Sequence, residues 1–202
     1  MTEWTNVVHN LEIVREAEQL HSSRHPSTLR DNYMAENVQW ILDHEPRGTK
    51  MMLWAHDAHV STTFGFMGHR LRQLYGGDFI SCGFSFYQGA FQARVAPTMG
   101  LRSVLVGPSP PSTVDAALAD TKIPRFAIDL RTLPSKGAAR QWLNGNHKIR
   151  SIGAGYDELF PNKYFLPISS SSFDVIFFIN TTSAARENRL LPKQLDIDPG
   201  RG

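Results

Sequence analysis

Short apolar segments of strand length alternate with helical segments along most of this chain. Helices are predicted where apolar side chains recur every three or four residues, and strands where β-branched and aromatic residues cluster. This alternation is typical of a layered α/β fold in which helices flank a largely parallel central sheet. The predicted helices cover residues 4–20, 30–43, 66–75, 112–120 and 135–143, and the predicted strands cover residues 50–55, 78–86, 91–96, 102–107, 124–130 and 172–180.

The chain divides into three regions by sequence pattern. Residues 1–29 are predicted to form an N-terminal helix and a polar connector, HSSRHPST, in which Pro26 prevents a helix from continuing. Residues 30–185 contain the alternating segments and are predicted to form the α/β domain. Residues 186–202 are predicted to be a polar tail.

Composition excludes several classes of protein. A chain with 41% hydrophobic and 20% charged residues is globular, and a net charge of +2 gives no electrostatic reason to expect a nucleic-acid partner. No apolar run approaches the roughly 18 residues that span a bilayer, so no membrane partner is expected. The lone Cys82 cannot form an internal disulfide, and the first residues lack a signal peptide. These features favour a cytoplasmic protein.

The common cofactor and nucleophile motifs are missing from the sequence. It has no GxxxxGK[ST] loop, no GxGxxG after a strand, no GxSxG elbow and no HExxH pair. The sequence therefore predicts no bound cofactor.

The segment WAHDAHV, residues 54–60, carries the most chemistry in the sequence. His56, Asp57 and His59 follow a predicted strand, where ligands bind in α/β sheets. Two imidazoles beside a carboxylate suit general acid–base catalysis, because imidazole titrates near neutrality. The same three side chains are suitable zinc ligands, although no further ligand of matching quality follows nearby. A pair of hydrogen-bonded loop histidines without a catalytic role is the third possibility.

Several separated motifs resemble the erythromycin esterase family in order and spacing. They are RDNYMAENVQWIL, KMMLWAHDAHV, MGHRL, GFSFYQGAF, RSIGAGY and FDVIFFINTTSAA. The resemblance implies an α/β fold and metal-independent hydrolysis of a carboxylic ester or macrolide lactone by an activated water. His56 and His59 match the histidines of the family's WAH-x-x-H motif and are implied to be catalytic. Arg30 matches the arginine of the RD helix and is implied to bind the substrate.

Two further residues are expected near the substrate. Asp57 stands where the family motif usually has asparagine, and ionised aspartate accepts hydrogen bonds but donates none. Glu36 lies on the RD helix and is either a substrate-binding residue or part of a solvated helix face.

The resemblance also implies that a part of the family fold is missing. Family members carry an amino-terminal Glu-x-x-His-Gly segment whose histidine is taken to activate water, and residues 1–29 do not reproduce it. The chain therefore resembles the carboxyl-terminal half of the family and an incomplete version of the family fold. The resemblance implies that this chain pairs with a missing N-terminal half. The alternatives are a metal-assisted hydrolase that uses His56, Asp57 and His59, and a degenerate half-domain that binds without catalysis.

Overall fold

The computed structural model describes residues 3–186, so residues 187–202 of the predicted polar tail lie outside the described range. The described chain contains helices and strands in alternation, with three short 3-10 turns between them. No helix in this part of the chain is long and apolar enough to cross a membrane. The helices are α1 (Glu3–Ser22), α2 (Pro26–Asp43), α3 (Asp57–Val60), α4 (Met67–Tyr75), α5 (Val114–Ala119) and α6 (Ala138–Leu143), and the strands are β1 (Cys82–Val95), β2 (Gly100–Val106), β3 (Arg125–Asp129), β4 (His147–Arg150), β5 (Gly155–Tyr156), β6 (Phe165–Ile168) and β7 (Val175–Thr182).

A five-stranded sheet in the order β2-β1-β7-β3 forms the centre of the fold, and β5 also pairs with β1. Its two long strands, β1 and β7, run parallel from Cys82 opposite Val175 to Gly89 opposite Thr182. β2 returns along β1 as an antiparallel hairpin, and β3 pairs antiparallel with β7. The predicted α/β fold with a central sheet and flanking helices is confirmed. Within this sheet β1 runs parallel to β7 and β5, whereas β2 is antiparallel to β1 because their connection is too short for a parallel crossover.

The second helix begins earlier than predicted. α2 starts at Pro26, within the predicted connector, instead of at Arg30. A proline is tolerated in the first helical turn, since the amide hydrogen that it lacks would have no partner inside the helix. The helix therefore carries Arg30 and Asp31 in its second turn, not at its start.

The strand predicted over residues 50–55 is not part of any described sheet. This segment is extended and follows a strand's alternation, with Met51, Leu53 and Ala55 packed against the core while Met52 and Trp54 are exposed. It joins no sheet among the described residues, so the predicted strand is wrong as an assignment. Alternating burial shows which side chains face the core but does not supply a hydrogen-bonding neighbour.

The main core lies between the sheet and three helices. Ala35 and Val38 from α2, together with Met67 and Leu71 from α4, pack in one cluster with Ile176 of β7. α3 and α4 approach so closely that a Cβ atom on Gly68 would lie 2.1 Å from the carbonyl oxygen of Val60. This contact fixes the single turn of α3, which carries the histidine motif, against α4.

A buried polar cluster joins α5 to the sheet. Asp115 is fully buried; its carboxylate accepts the hydroxyl hydrogen of Ser85 at 2.7 Å and the backbone N–H of Arg150 at 2.9 Å. Burial raises the pKa of Asp115. The guanidinium of Arg150 donates to Ser109 and lies over the Phe86 ring, 5.0 Å from its centroid. Because these hydrogen bonds stay within the protein, the arginine of the RSIGAGY motif acts in the packing of the fold.

We expect Gly68→Ala to lower the free energy of unfolding by about 1–3 kcal/mol, because the added methyl group meets backbone that cannot move aside. Gly77→Ala is the matched control, since a Cβ atom there has no neighbour within 4 Å. Urea unfolding of both variants measures the difference. Equal stability of the two variants would contradict the close packing of α3 on α4.

Candidate active site

The histidine motif forms a single helical turn, α3, directly after the extended segment. His56 caps α3 in an extended conformation (φ −62°, ψ 145°), and its Nδ1 atom accepts the backbone N–H of Ala58 at 3.2 Å. An imidazole nitrogen that accepts a hydrogen bond carries no proton, so the proton of neutral His56 resides on Nε2. His56 therefore presents an N–H donor from the start of the turn.

His59 is held by a buried carboxylate on another helix. Its Nδ1 atom lies 2.7 Å from Oδ1 of Asp31, and only 2% of Asp31 is exposed. The second carboxylate oxygen of Asp31 accepts the backbone N–H of Met67 at 3.1 Å. Because Nδ1 faces a carboxylate, it carries the proton, and the lone pair of neutral His59 resides on Nε2. His56 and His59 thus adopt opposite tautomers.

Arg30 contacts Nε2 of His59, the ring nitrogen that does not face Asp31. Its Nη1 atom lies 3.1 Å from Nε2 and donates to it, because that nitrogen is the acceptor in this tautomer. Arg30 itself is exposed on α2. If His59 accepted a proton on Nε2, two donors would face each other, so protonation of His59 requires the guanidinium to turn away.

Asp57 binds to the sheet instead of facing the two histidine rings. Its Oδ2 atom accepts the backbone N–H of Phe84 in β1 at 3.0 Å. Burial raises the pKa of Asp57, while the Phe84 N–H and the nearby His56 act in the opposite direction. This carboxyl group anchors the start of α3 to the edge of β1.

Glu36 is not brought to the cluster. It is exposed on α2, about 140° around the helix from Asp31, since it lies five positions further along the helix. Asp31, Ala35 and Val38 form the buried face of that helix. The structure therefore places His56, His59, Arg30 and Asp57 together and leaves Glu36 on a solvated face.

Most of the atoms in the cluster that could ligate a metal already have hydrogen-bond partners. His59 is bonded through both ring nitrogens, His56 through Nδ1 and Asp57 through Oδ2. A guanidinium at Nε2 of His59 also repels a cation electrostatically. Within residues 3–186, no group of three or more His, Cys, Asp or Glu side chains is arranged to hold a metal ion. The metal-assisted alternative gains no support from this geometry.

Sequence reasoning missed Asp31. Its position directly after Arg30 in the RD pattern was the available signal, but adjacency does not show that the two side chains converge on one histidine. The loop at Gly153 was missed as well, and a Cβ atom there would lie 3.9 Å from Nε2 of His56. This loop belongs to the RSIGAGY motif and borders the donor nitrogen.

Comparison with known proteins assigns the family. A family model described as erythromycin esterase matches residues 1–182. The chain belongs to the erythromycin esterase family. Among curated members, it is 36% identical over 69 residues to erythromycin esterase type II from Escherichia coli, a match that covers 30% of this chain and 16% of that protein.

Solved structures share the fold of this erythromycin esterase family chain at lower identity. A Bacillus cereus protein of known structure superposes with a TM-score of 0.79 at 23% identity, over 91% of this chain and 46% of that one. A succinoglycan biosynthesis protein gives 0.66 at 22% identity, over 78% and 39%. An erythromycin esterase mutant in its open conformation gives 0.56 at 16% identity, over 90% and 43%. The chain therefore spans less than half the length of the solved structures that it matches.

We expect Asp57→Asn to stabilise the fold at neutral pH by up to about 1 kcal/mol. Asparagine keeps an acceptor for the Phe84 N–H and removes the charge that burial disfavours. Since the folded state has the raised pKa, it holds the proton of Asp57 more firmly than the unfolded state, and stability is lost as pH rises through the folded pKa. The gain should therefore shrink as pH falls and Asp57 becomes protonated.

Thermal unfolding between pH 4 and pH 8 measures this effect, with Asp78→Asn at an exposed position as the control. A gain that grows toward low pH, or an equal gain in the control, would contradict the role of burial at Asp57.

Proposed function

We propose that this chain carries the catalytic side of a carboxylic ester hydrolase, which opens an ester or macrolide lactone by His-assisted attack of water. The observation that supports it most is the Asp31–His59–Arg30 chain of hydrogen bonds, with the N–H donor of His56 on the same helical turn. A carboxylate behind an imidazole orients the ring and fixes its tautomer. No cofactor takes part in the proposed reaction.

The contacts support the following proposed role for each side chain. Arg30 turns from His59 to the substrate carbonyl, where a planar guanidinium stabilises a developing oxyanion. This exposes Nε2 of His59, which takes a proton from the attacking water while the water oxygen bonds to the carbonyl carbon. His56 donates its Nε2 proton as a hydrogen bond to the oxyanion. When the tetrahedral intermediate collapses, His59 returns the proton to the departing alkoxide, and an acid and an alcohol leave.

The substrate class is supported by family membership alone. The proposed partner is a small-molecule ester or lactone, and the macrolide is one member of that class. Asp57 and Glu36 were both expected near the substrate from the sequence, but the two side chains lie in different places. Asp57 lies in the cluster and acts through the position of α3, whereas Glu36 is exposed on another face of α2.

A non-catalytic binding half is the second candidate function. It is favoured by one observation, that the chain covers 46% of the Bacillus cereus structure and similar shares of the others. In this alternative the Asp31–His59 pair orders the fold and does not transfer protons. Hydrolysis measurements on the purified chain distinguish the two.

For the hydrolase, we expect the purified chain to cleave an aryl ester or a macrolide lactone, and His59→Ala to lower kcat by about 10²–10⁴-fold. Asp31→Asn should lower kcat at least about tenfold with little change in KM, because the imidazole loses the carboxylate that holds its tautomer. Its pH profile should also shift, which a purely structural defect would not cause. His21→Ala, at an exposed histidine in the last turn of α1, is the control.

Absence of turnover from a folded wild-type chain would overturn the proposal that it is a hydrolase by itself. Turnover that survives in His59→Ala would instead overturn the assigned roles. Circular dichroism of each variant shows whether it has folded.

A further inference from the structure

His56 keeps one ring nitrogen that has no partner among the described residues. Its Nδ1 atom accepts the backbone N–H of Ala58, and no atom of residues 3–186 is hydrogen-bonded to Nε2. The proton of the neutral ring therefore sits on a nitrogen that is free to bind a ligand. The ring is only partly buried, so this N–H faces space that a small molecule can enter.

The loop that borders this nitrogen is held on both sides of Gly153. Before Gly153, the backbone N–H of Ser151 donates to the carbonyl oxygen of Tyr164 at 2.8 Å. After Gly153, the carbonyl oxygen of Ala154 accepts the backbone N–H of Arg94 in β1 at 2.8 Å. Because both flanks are bound, the loop cannot move aside to make room for a side chain at this position.

The packing of the protein does not require glycine at position 153. Gly153 is exposed, its φ lies outside the left-handed region, and a Cβ atom there would come no closer to another residue than 3.9 Å, at Nε2 of His56. Gly68 is different, since a Cβ atom there would overlap the backbone of Val60. The missing side chain at Gly153 therefore changes only the space beside the donor nitrogen, as where a backbone approaches a ligand closely.

We infer that Gly153 sets the size of the acyl group that the candidate site accepts. In the proposed reaction the substrate carbonyl oxygen binds Nε2–H of His56, which puts the carbonyl carbon about 3.7 Å from that nitrogen. A side chain on Gly153 would begin 3.9 Å from the same nitrogen, so it would compete with the acyl group for space. The bare loop admits acyl groups that are branched or cyclic next to the carbonyl carbon.

This inference rests on the proposed function for the identity of the acyl group, but binding can be measured without turnover. Carboxylates are suitable probes, because each is the acid product of ester hydrolysis and offers a charged oxygen to the N–H donor. The full chain, labelled with nitrogen-15, is titrated at neutral pH with acetate, which is small, and with pivalate, which is branched next to the carboxyl carbon. The Nε2 resonance of His56 reports binding, and its loss in His56→Ala assigns it.

We expect both carboxylates to shift this resonance in the unmodified chain. Gly153→Ala should raise Kd for pivalate at least about threefold and Gly153→Val at least about tenfold, since each added group meets the branched methyl groups. Kd for acetate should change less than about twofold in Gly153→Ala, because acetate is unbranched. Gly107→Ala is the matched control at an exposed loop glycine whose Cβ atom would meet nothing within 4 Å. It should change both Kd values less than about twofold.

Three results would overturn the inference. They are a resonance that neither carboxylate shifts, an equal loss of acetate and pivalate affinity in Gly153→Ala, and an unchanged Kd for pivalate in Gly153→Val. Gly153→Ala adds one exposed methyl group at an ordinary φ, so at least this variant keeps the fold.

Hydrolysis of the aryl esters of acetate and pivalate separates this inference from the proposed function. A chain that cleaves neither ester, but whose affinity for pivalate depends on Gly153, overturns the proposed hydrolysis and supports the size limit. A chain that cleaves both esters equally well before and after Gly153→Val overturns the size limit alone.

Discussion

The carboxylate of Asp31 joins the three helices on which the candidate site depends. It extends from α2 to the imidazole of His59 on α3 and to the first backbone N–H of α4. A buried carboxylate is stable only when its oxygens are paired, and here each oxygen has one donor. Removing it would leave two donors without a partner. The packing of the helices and the orientation of the histidine therefore come from the same side chain.

Two histidines three residues apart are thereby given different chemistry. The cap of α3 uses Nδ1 of His56 and leaves a donor at Nε2, whereas Asp31 uses Nδ1–H of His59 and leaves an acceptor at Nε2. One ring is suited to stabilise negative charge, and the other is suited to accept a proton. Arg30 occupies the acceptor of His59, so in the proposed reaction its movement toward a substrate frees this acceptor.

Sequence periodicity predicted the elements that depend on local pattern. α4 was found because its apolar residues recur at helical spacing, and β7 was found because it begins with a continuous run of β-branched and aromatic residues. The short strands β4, β5 and β6 were missed, because two to four residues carry no period. Residues 50–55 show the reverse case, since their alternation is real but a strand also needs a neighbour. The convergence of Arg30 and Asp31 on His59 crosses 28 to 29 residues of chain, and no local pattern encodes it.

The chemistry proposed for the site depends on the opposite tautomers of His59 and His56, which follow from their different partners. Nitrogen-15 NMR of the imidazole rings at neutral pH measures this directly, because protonated and unprotonated ring nitrogens differ widely in chemical shift. We expect a proton on Nδ1 of His59 and on Nε2 of His56. A proton on Nε2 of neutral His59 would contradict the Asp31 contact and the roles that follow from it.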